Sequence, residues 1–122
     1  MSKEEIPPWL REQLARFDQI QQSLQSIMMQ KQQVEAETAD IEKAVVELNK
    51  IKNDETVYKS AGPLLVRVKR VEVLKELQEK KELSKTRSLV LSKQESRLKD
   101  NAKELQAKLN ESIKGRASGP EN

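Results

Sequence analysis

The run Thr56-Val57-Tyr58-Lys59-Ser60-Ala61-Gly62-Pro63-Leu64-Leu65-Val66-Arg67-Val68 lies near the middle of the chain and decides its architecture. It is the one stretch rich in β-branched and large apolar residues, in a sequence otherwise composed of helix formers. Two short runs, 56–60 and 64–68, flank a Gly/Pro break, which is the pattern of a β-hairpin. The segments on either side have almost equal length. The sequence therefore predicts a mainly α fold, with two long helices joined by a hairpin at 56–68.

The composition of the 122 residues argues against a compact globular core. Aromatic side chains supply much of such a core, and here there are only Trp9, Phe17 and Tyr58. A content of 35% charged residues, with abundant Glu, Lys, Gln and Leu, favours long helices or a coiled coil. A disordered chain is the alternative for so polar a composition, but the apolar residues recur periodically. We expect a single domain over residues 1–122.

Several classes of function find no support in the sequence. Lysine and glutamate are interspersed and the net charge is only +3, so we expect no nucleic-acid partner. The chain has no histidine, no cysteine and only three glycines, which gives no catalytic residues, no metal site and no phosphate-cradling loop. We therefore expect a protein that is not an enzyme and has no cofactor. No apolar run approaches the ~20 residues of a membrane span, and the acidic start is no signal peptide, so we expect a soluble, cytoplasmic protein without a membrane partner.

The first helix is predicted over residues 9–52. Ile6-Pro7-Pro8 sets an extended entry, and proline is well tolerated in a first helical turn. The apolar residues follow alternating spacings of three and four, the heptad seam of a coiled coil. The repeat slips by a stammer between Met28 and Val34, and Ile20 and Ile27 are interpreted as lying beside the seam. The predicted apolar seam positions are Leu10, Leu14, Phe17, Leu24, Met28, Val34, Ile41, Val45 and Leu48.

The second helix is predicted over residues 70–113, followed by a flexible tail at 114–122 that Gly115, Gly119 and Pro120 mark. Its seam fits one unbroken heptad register. Polar residues interrupt the middle of the seam at Lys81, Ser84, Ser88 and Glu95. Its apolar positions are Leu74, Leu77, Leu91, Leu98, Ala102, Leu105 and Leu109.

Two long amphipathic helices joined by a short hairpin are expected to pair antiparallel. The numbers of facing seam residues should then sum to a constant, and a sum of about 122 places the turn centre at Ala61-Gly62. That position agrees with the Gly/Pro break chosen from turn chemistry. The predicted partners are Leu48 with Leu74, Val45 with Leu77, Leu24 with Leu98, Phe17 with Leu105, and Leu14 with Leu109.

The hairpin is expected to join several chains. An isolated two-stranded hairpin is marginally stable in water and has two open edges. Alternation places Leu64, Val66 and Val68 on one face and Leu65 on the other, so one coiled coil could not cover both faces. The alternative is a monomer that hides these side chains under its own helices. We predict instead a β-barrel platform built from several hairpins, through the hairpin residues Val57, Tyr58, Leu64, Leu65, Val66 and Val68.

The free ends of the two helices carry a second apolar group. The antiparallel pairing brings the start of the first helix next to the end of the second, with two of the three aromatic residues. Packing at the end of the coiled coil explains why Leu14 and Leu109 are apolar, but it explains the apolar character of Trp9 and Ile6 less well. An open apolar patch suggests binding of apolar surfaces. These tip residues are Ile6, Trp9, Leu10, Leu14, Phe17, Leu105, Leu109 and Ile113.

The sequence resembles the beta-type subunits of prefoldin, most closely the archaeal ones. The resemblance covers about residues 6–113 and is carried by Ile6-Pro7-Pro8, the Gln-rich first helix and the central run Val57-Tyr58-Lys59-Ser60-Ala61-Gly62-Pro63-Leu64-Leu65-Val66. One departure is Val68-Lys69-Arg70, where such subunits often carry an acidic or hydroxyl helix cap. The predicted start of the second helix at Arg70 therefore has no such capping residue before it.

The resemblance implies an ATP-independent holding chaperone. Family members form a hexamer of two alpha-type and four beta-type subunits, with hairpins building the platform and coiled coils hanging from it. The coiled-coil tips bind non-native proteins, prevent their aggregation and pass them to a group II chaperonin. For this chain, the resemblance implies that the hairpin residues mediate assembly and that the tip residues bind clients.

Two other functions compete with this interpretation. A structural coiled-coil scaffold or tether would need the hairpin to be a mere joint and the tips to be inert. Nucleic-acid binding is weakly suggested by Arg67, Lys69 and Arg70 beside the hairpin. For those three cations, solvation or ion pairing between subunits is the simpler interpretation.

Overall fold

The computed structural model describes residues 6–118, with side chains up to residue 115. Its elements are α1 (Pro8–Lys50), β1 (Val57–Ala61), β2 (Leu64–Val68) and α2 (Arg70–Ser118). Two long helices joined by an antiparallel hairpin confirm the predicted fold class. Across residues 6–118, neither helix is long and apolar enough to cross a membrane.

The helix bounds differ slightly from those predicted. α1 begins at Pro8, where proline at the first helical position lacks only an N–H that would be unpaired anyway. The Pro7 carbonyl accepts hydrogen bonds from the N–H groups of Leu10 and Arg11, at 3.0 and 3.1 Å. α1 ends at Lys50, two residues before the predicted end, and α2 begins at the predicted Arg70. The departure at Val68-Lys69-Arg70 therefore does not displace the start of the second helix.

The predicted end of α2 at residue 113 was wrong. The helix continues through Gly115 to Ser118. One glycine costs a helix only about 1 kcal/mol relative to alanine, and the lysine, arginine and alanine around it are good helix formers. The remainder of the predicted tail, residues 119–122, lies outside the described residues.

Contacts within the chain form two compact units. One is Lys31–Val90, which contains the hairpin; the other comprises the chain up to Gln30 and from Leu91 onward. Each unit takes a segment from both helices. The unit Lys31–Val90 is a contiguous stretch of sequence and the other is not, and the single domain stays a prediction.

The seam of α2 follows the predicted register. Every predicted seam position, apolar or polar, is buried or half-buried. Leu91, Ala102, Leu105 and Leu109 are buried, and so is the hydroxyl-bearing Ser84. The unbroken heptad is therefore confirmed, including its polar middle.

The seam of α1 is also an unbroken heptad, and the predicted stammer was wrong. Ile27 is buried, at 8% exposure, whereas Met28 is 52% exposed. Ile20 is half-buried while Leu14 is exposed. With Ile20 and Ile27 in the seam, the three–four alternation continues without a slip. The buried and half-buried positions of this register are Leu10, Gln13, Phe17, Ile20, Leu24, Ile27, Lys31, Val34, Thr38, Ile41, Val45 and Leu48.

A pair of alanine substitutions tests this register. We expect Ile27→Ala to destabilise the chain by about 2 to 3 kcal/mol, because it removes a buried side chain. Met28→Ala should cost less than about 0.5 kcal/mol, as is usual for exposed positions. Urea unfolding followed by far-UV circular dichroism measures both. A larger loss of unfolding free energy for Met28→Ala than for Ile27→Ala would instead support the register with the stammer.

Contacts between the helices are antiparallel in each unit. In the unit Lys31–Val90, Lys81 lies 3.8 Å from Glu42 and Arg87 lies 3.5 Å from Glu37. In the other unit, Leu10 packs with Leu105 and Leu109 in one buried cluster. Phe17 packs against this cluster, in keeping with its predicted partner Leu105. Leu109 is buried with Leu10, which holds the seam position, whereas its predicted partner Leu14 is 43% exposed and lies outside this buried cluster.

The hairpin turns through two residues, Gly62 and Pro63. β1 and β2 pair from Val57 opposite Val68 to Ala61 opposite Leu64. Ala61 thus belongs to the strand, and the turn lies slightly later than the predicted Ala61-Gly62. Gly62 has φ of 59°, a left-handed conformation, and proline holds φ near −65°. These signs are those of a type II′ turn, whose twist matches that of the flanking strands.

Gly62 is therefore the residue on which the turn depends. A side chain there would meet no atom within 4 Å, so only the backbone conformation opposes substitution. We expect Gly62→Ala to cost about 1 to 2 kcal/mol, and amide hydrogen exchange in β1 and β2 to speed up. Pro63→Ala is the control, because φ at that position is accessible to alanine. Equal exchange rates in the two variants would contradict the turn assignment.

Candidate functional site

The hairpin exposes a large apolar surface. Leu64 is 65% exposed, Leu65 73% and Tyr58 60%. Val66 is also exposed, whereas Val57 and Val68 at the base of the hairpin are half-buried. The alternative of a monomer that hides these side chains under its own helices does not hold for these four exposed residues. Exposed apolar surface of this kind on an open two-stranded sheet is typical of interaction sites.

The two faces of the hairpin differ in their surroundings. Directly paired residues share a face of the sheet, so Val57, Lys59, Ala61, Leu64, Val66 and Val68 form the inner face and Tyr58, Ser60, Leu65 and Arg67 the outer face. The inner face is tied to α2, because the Lys59 ammonium donates a hydrogen bond of 2.6 Å to Glu76 Oε1. All four residues of the outer face are exposed.

The Lys59–Glu76 contact sets the protonation of Glu76. The hydrogen bond from Lys59 lowers the pKa of Glu76 below its ordinary value of 4.5, and the charges of Lys59 and Lys80 act in the same direction. Because the carboxyl pKa is lowered in the folded chain, the contact contributes its full stability at pH values above the ordinary pKa of 4.5. That contribution is lost as the pH falls through the lowered pKa. At neutral pH the contact is therefore an ion pair between the hairpin and α2, and because both side chains are exposed its contribution to stability is small.

Arg70 joins the base of the hairpin to the end of α1. Its Nε donates to the Leu48 carbonyl at 2.7 Å, and Nη1 donates to Asn53 Oδ1 at 2.6 Å. Nη2 reaches Asn49 Oδ1 at 3.4 Å. Leu48 carries one of the last four carbonyls of α1, which lack partners within the helix, and a cation is favourable at that end of the helix dipole. Arg70 thus has an intrachain role that the sequence did not reveal.

The tip residues divide into a buried cluster and an exposed set. Leu10, Leu105 and Leu109 are buried together, with Ile6, Phe17 and Ile20 partly buried against them. Trp9, Leu14 and Ile113 are 46%, 43% and 53% exposed. Five of the eight predicted tip residues therefore build the packing at this end of the helices, and three present apolar surface to solvent.

Sequence reasoning missed Ile20 at this cluster. The signal was present, since an isoleucine three residues after Phe17 continues the heptad. The predicted register, which runs through Leu14, placed Ile20 beside the seam. Among the residues described, no group of three or more Asp and Glu is arranged to hold a metal ion.

Most of the chain is similar in sequence to known proteins. The prefoldin subunit family matches residues 11–116. The prefoldin subunit beta of Archaeoglobus fulgidus is 42% identical over 105 residues, covering 86% of this chain and 90% of its own length. That of Pyrobaculum islandicum is 39% identical over 109 residues, covering 89% and 87%. The relatives are thus matched over nearly their whole length.

A solved structure gives the same result for the fold. The crystal structure of the prefoldin beta subunit from Thermococcus strain KS-1 superposes with a TM-score of 0.79 at 34% identity. The match covers 88% of this chain and 95% of that chain. The long helices, the exposed hairpin between them and these similarities together show that the chain belongs to the prefoldin family of chaperones, as a subunit of the beta type.

Proposed function

We propose that this subunit holds non-native proteins at its tip residues, without ATP, and so prevents their aggregation. The observation that carries the proposal is the exposure of Trp9, Leu14 and Ile113 around the buried Leu10–Leu105–Leu109 cluster. Non-native chains expose apolar segments, and a tryptophan and two aliphatic side chains offer a surface on which such segments can be desolvated.

The buried tip residues have a different part in this proposal. Leu10, Leu105 and Leu109 fix the two helix segments against each other, with Phe17 and Ile6 beside them. The three exposed side chains then stand on a packed base. Contact with a client falls to Trp9, Leu14 and Ile113, and the other five tip residues support them.

We further propose that the hairpin residues join this subunit to alpha-type prefoldin subunits and to other beta copies. The expected assembly is a hexamer of two alpha-type and four beta-type subunits around a β-barrel platform. The exposure of Tyr58, Leu64, Leu65 and Val66 supports this part. At ~25 cal/mol per Å² of apolar surface removed from water, covering several such side chains is worth several kcal/mol. The proposal includes a cytoplasmic location and delivery of the held protein to a group II chaperonin.

A holding assay on the assembled complex tests the proposal. We expect the complex with an alpha-type partner to suppress light scattering from a chemically denatured test protein diluted into buffer, equally with and without ATP. Addition of a group II chaperonin and ATP should then release the test protein and restore its activity. A structural scaffold or tether would leave the scattering unchanged, and a requirement for ATP would contradict the proposed mechanism.

A further inference from the structure

The outer face of the hairpin combines two apolar side chains with one cation. Tyr58 lies directly opposite Arg67, and Leu65 lies two residues before Arg67 on the same strand and face. Tyr58, Leu65 and Arg67 are all exposed. A partner that covers Tyr58 and Leu65 must therefore also take Arg67 out of water.

Arg67 differs from Lys59 and Arg70, two cations of the hairpin and its base that have partners within the described residues. Lys59 is paired with Glu76 on α2, and Arg70 is held by Leu48, Asn49 and Asn53. No hydrogen bond or ion pair is seen for Arg67 in the described part of the chain. Covering an unpaired guanidinium is costly unless the covering surface supplies a carboxylate.

A second copy of this chain cannot supply that carboxylate from its strands. β1 is VYKSA and β2 is LLVRV, so the only charged residues in the strands are cations. Stacking two such outer faces would bring together like charges. The outer face therefore fits a different strand, one with an Asp or Glu set among apolar residues.

We propose that Arg67 selects the partner of this hairpin: the outer face docks on a β-strand of a different subunit type whose carboxylate pairs with Arg67, and it disfavours docking on a second copy. A guanidinium paired with a carboxylate forms two parallel hydrogen bonds, which adds geometric specificity to the attraction. The proposal rests on assembly through the hairpin, as set out above. It adds, for the outer face alone, the rule by which the hairpin distinguishes an alpha-type partner from a second copy.

The test compares Arg67→Gln with Lys43→Gln in complexes with the alpha-type partner. Both variants remove one exposed positive charge, but Lys43 lies on α1, outside the hairpin. We expect Arg67→Gln to raise the Kd for the partner at least tenfold and to flatten its dependence on salt. Lys43→Gln should stay within about threefold of the parent, as is typical for surface charges outside an interface. Circular dichroism checks that both variants keep the parent's helicity.

Self-association of the chain should respond in the opposite direction. Removing the like charges in Arg67→Gln should leave self-association unchanged or strengthen it, as measured by sedimentation at the same concentrations. A loss of both self-association and partner binding would indicate a purely structural role and overturn the proposal. An unchanged Kd and salt dependence for the partner would overturn it as well.

A charge exchange identifies the partner residue. Arg67→Glu should bind the parent partner more weakly than Arg67→Gln does. Replacing each Asp and Glu in the partner's strands by Lys, one at a time, should restore binding of Arg67→Glu at one position. Failure at every position would contradict the ion pair. A different result would show that the hairpin is not the assembly site at all. In that case the variant with both Leu64→Asp and Leu65→Asp would keep the mass of the parent assembly.

Discussion

Replacing Leu64 and Leu65 together by Asp is expected to abolish assembly with an alpha-type partner. The two side chains are among the most exposed apolar groups of the chain and lie on opposite faces of the hairpin. A partner that covers either face would then bury an unpaired carboxylate, which costs several kcal/mol. Since each 1.4 kcal/mol is a tenfold change in affinity, we expect the Kd to rise by more than about a hundredfold.

The choice of positions follows from the hairpin's register. Val66 is directly opposite Lys59, so a carboxylate there would gain a cationic neighbour and lose part of its effect. Leu64 is opposite Ala61 and Leu65 opposite Ser60, so no cation lies directly across from either position, and the nearest one on the face of Leu65 is Arg67, two residues along the same strand. Because both leucines already face solvent in the single chain, the variant should keep its helicity.

Native mass spectrometry and light scattering after size exclusion measure the outcome. The parent should give a species of several chains, and the Leu64→Asp, Leu65→Asp variant should give the separate subunits. Met29→Asp with Val46→Asp is the matched control, since these exposed residues lie on α1, outside the hairpin. An unchanged mass for the hairpin variant would remove the basis for a hairpin platform.

Replacing Trp9, Leu14 and Ile113 by Ser is expected to remove most of the holding activity while the assembly stays intact. The three side chains are the exposed members of the tip set, and together they account for its solvent-facing apolar surface. Each CH₂ group that is no longer desolvated by a bound client lowers the binding free energy by about 0.8 kcal/mol. The variant should therefore need at least ten times more complex for half-maximal protection.

Point substitution is preferable here to deletion of the chain ends. Removing residues 1–10 and 107–122 would also remove Leu10 and Leu109, which are buried in the tip cluster. The loss of packing would then be confused with the loss of a binding surface. Substituting three exposed residues leaves the buried cluster in place.

The measurement is suppression of light scattering by the complex, with mass confirmed to be that of the parent. Met28, Val46 and Leu89, each replaced by Ser, form the control, because they are exposed apolar residues of α1 and α2 outside the tip set. We expect this control to protect as the parent does. Equal protection by the tip variant would show that clients bind elsewhere.

The sequence determined the architecture because its signals were local and strong. The β-branched run with a Gly/Pro break could form only a hairpin between segments of helix formers. The seam of α2 was found because leucine and alanine hold most of its positions in one unbroken heptad register. The apolar hairpin residues and the tip set could be named from the same patterns.

Only the tertiary structure decided which of several neighbouring apolar residues are buried. Ile27 and Met28 are adjacent and both apolar, and the folded chain buries Ile27 and leaves Met28 exposed. Likewise, eight apolar residues qualified as tip residues, and packing divided them into a buried base and three exposed side chains.

The roles of the cations were also decided by tertiary structure. Lys59, Arg67 and Arg70 are alike in charge, yet Lys59 meets Glu76, Arg70 meets the end of α1, and Arg67 stays exposed on the outer face. The physical reason is that burial and pairing depend on what lies across space. Residues 17 to 22 positions apart meet here only after the chain has folded back through its hairpin.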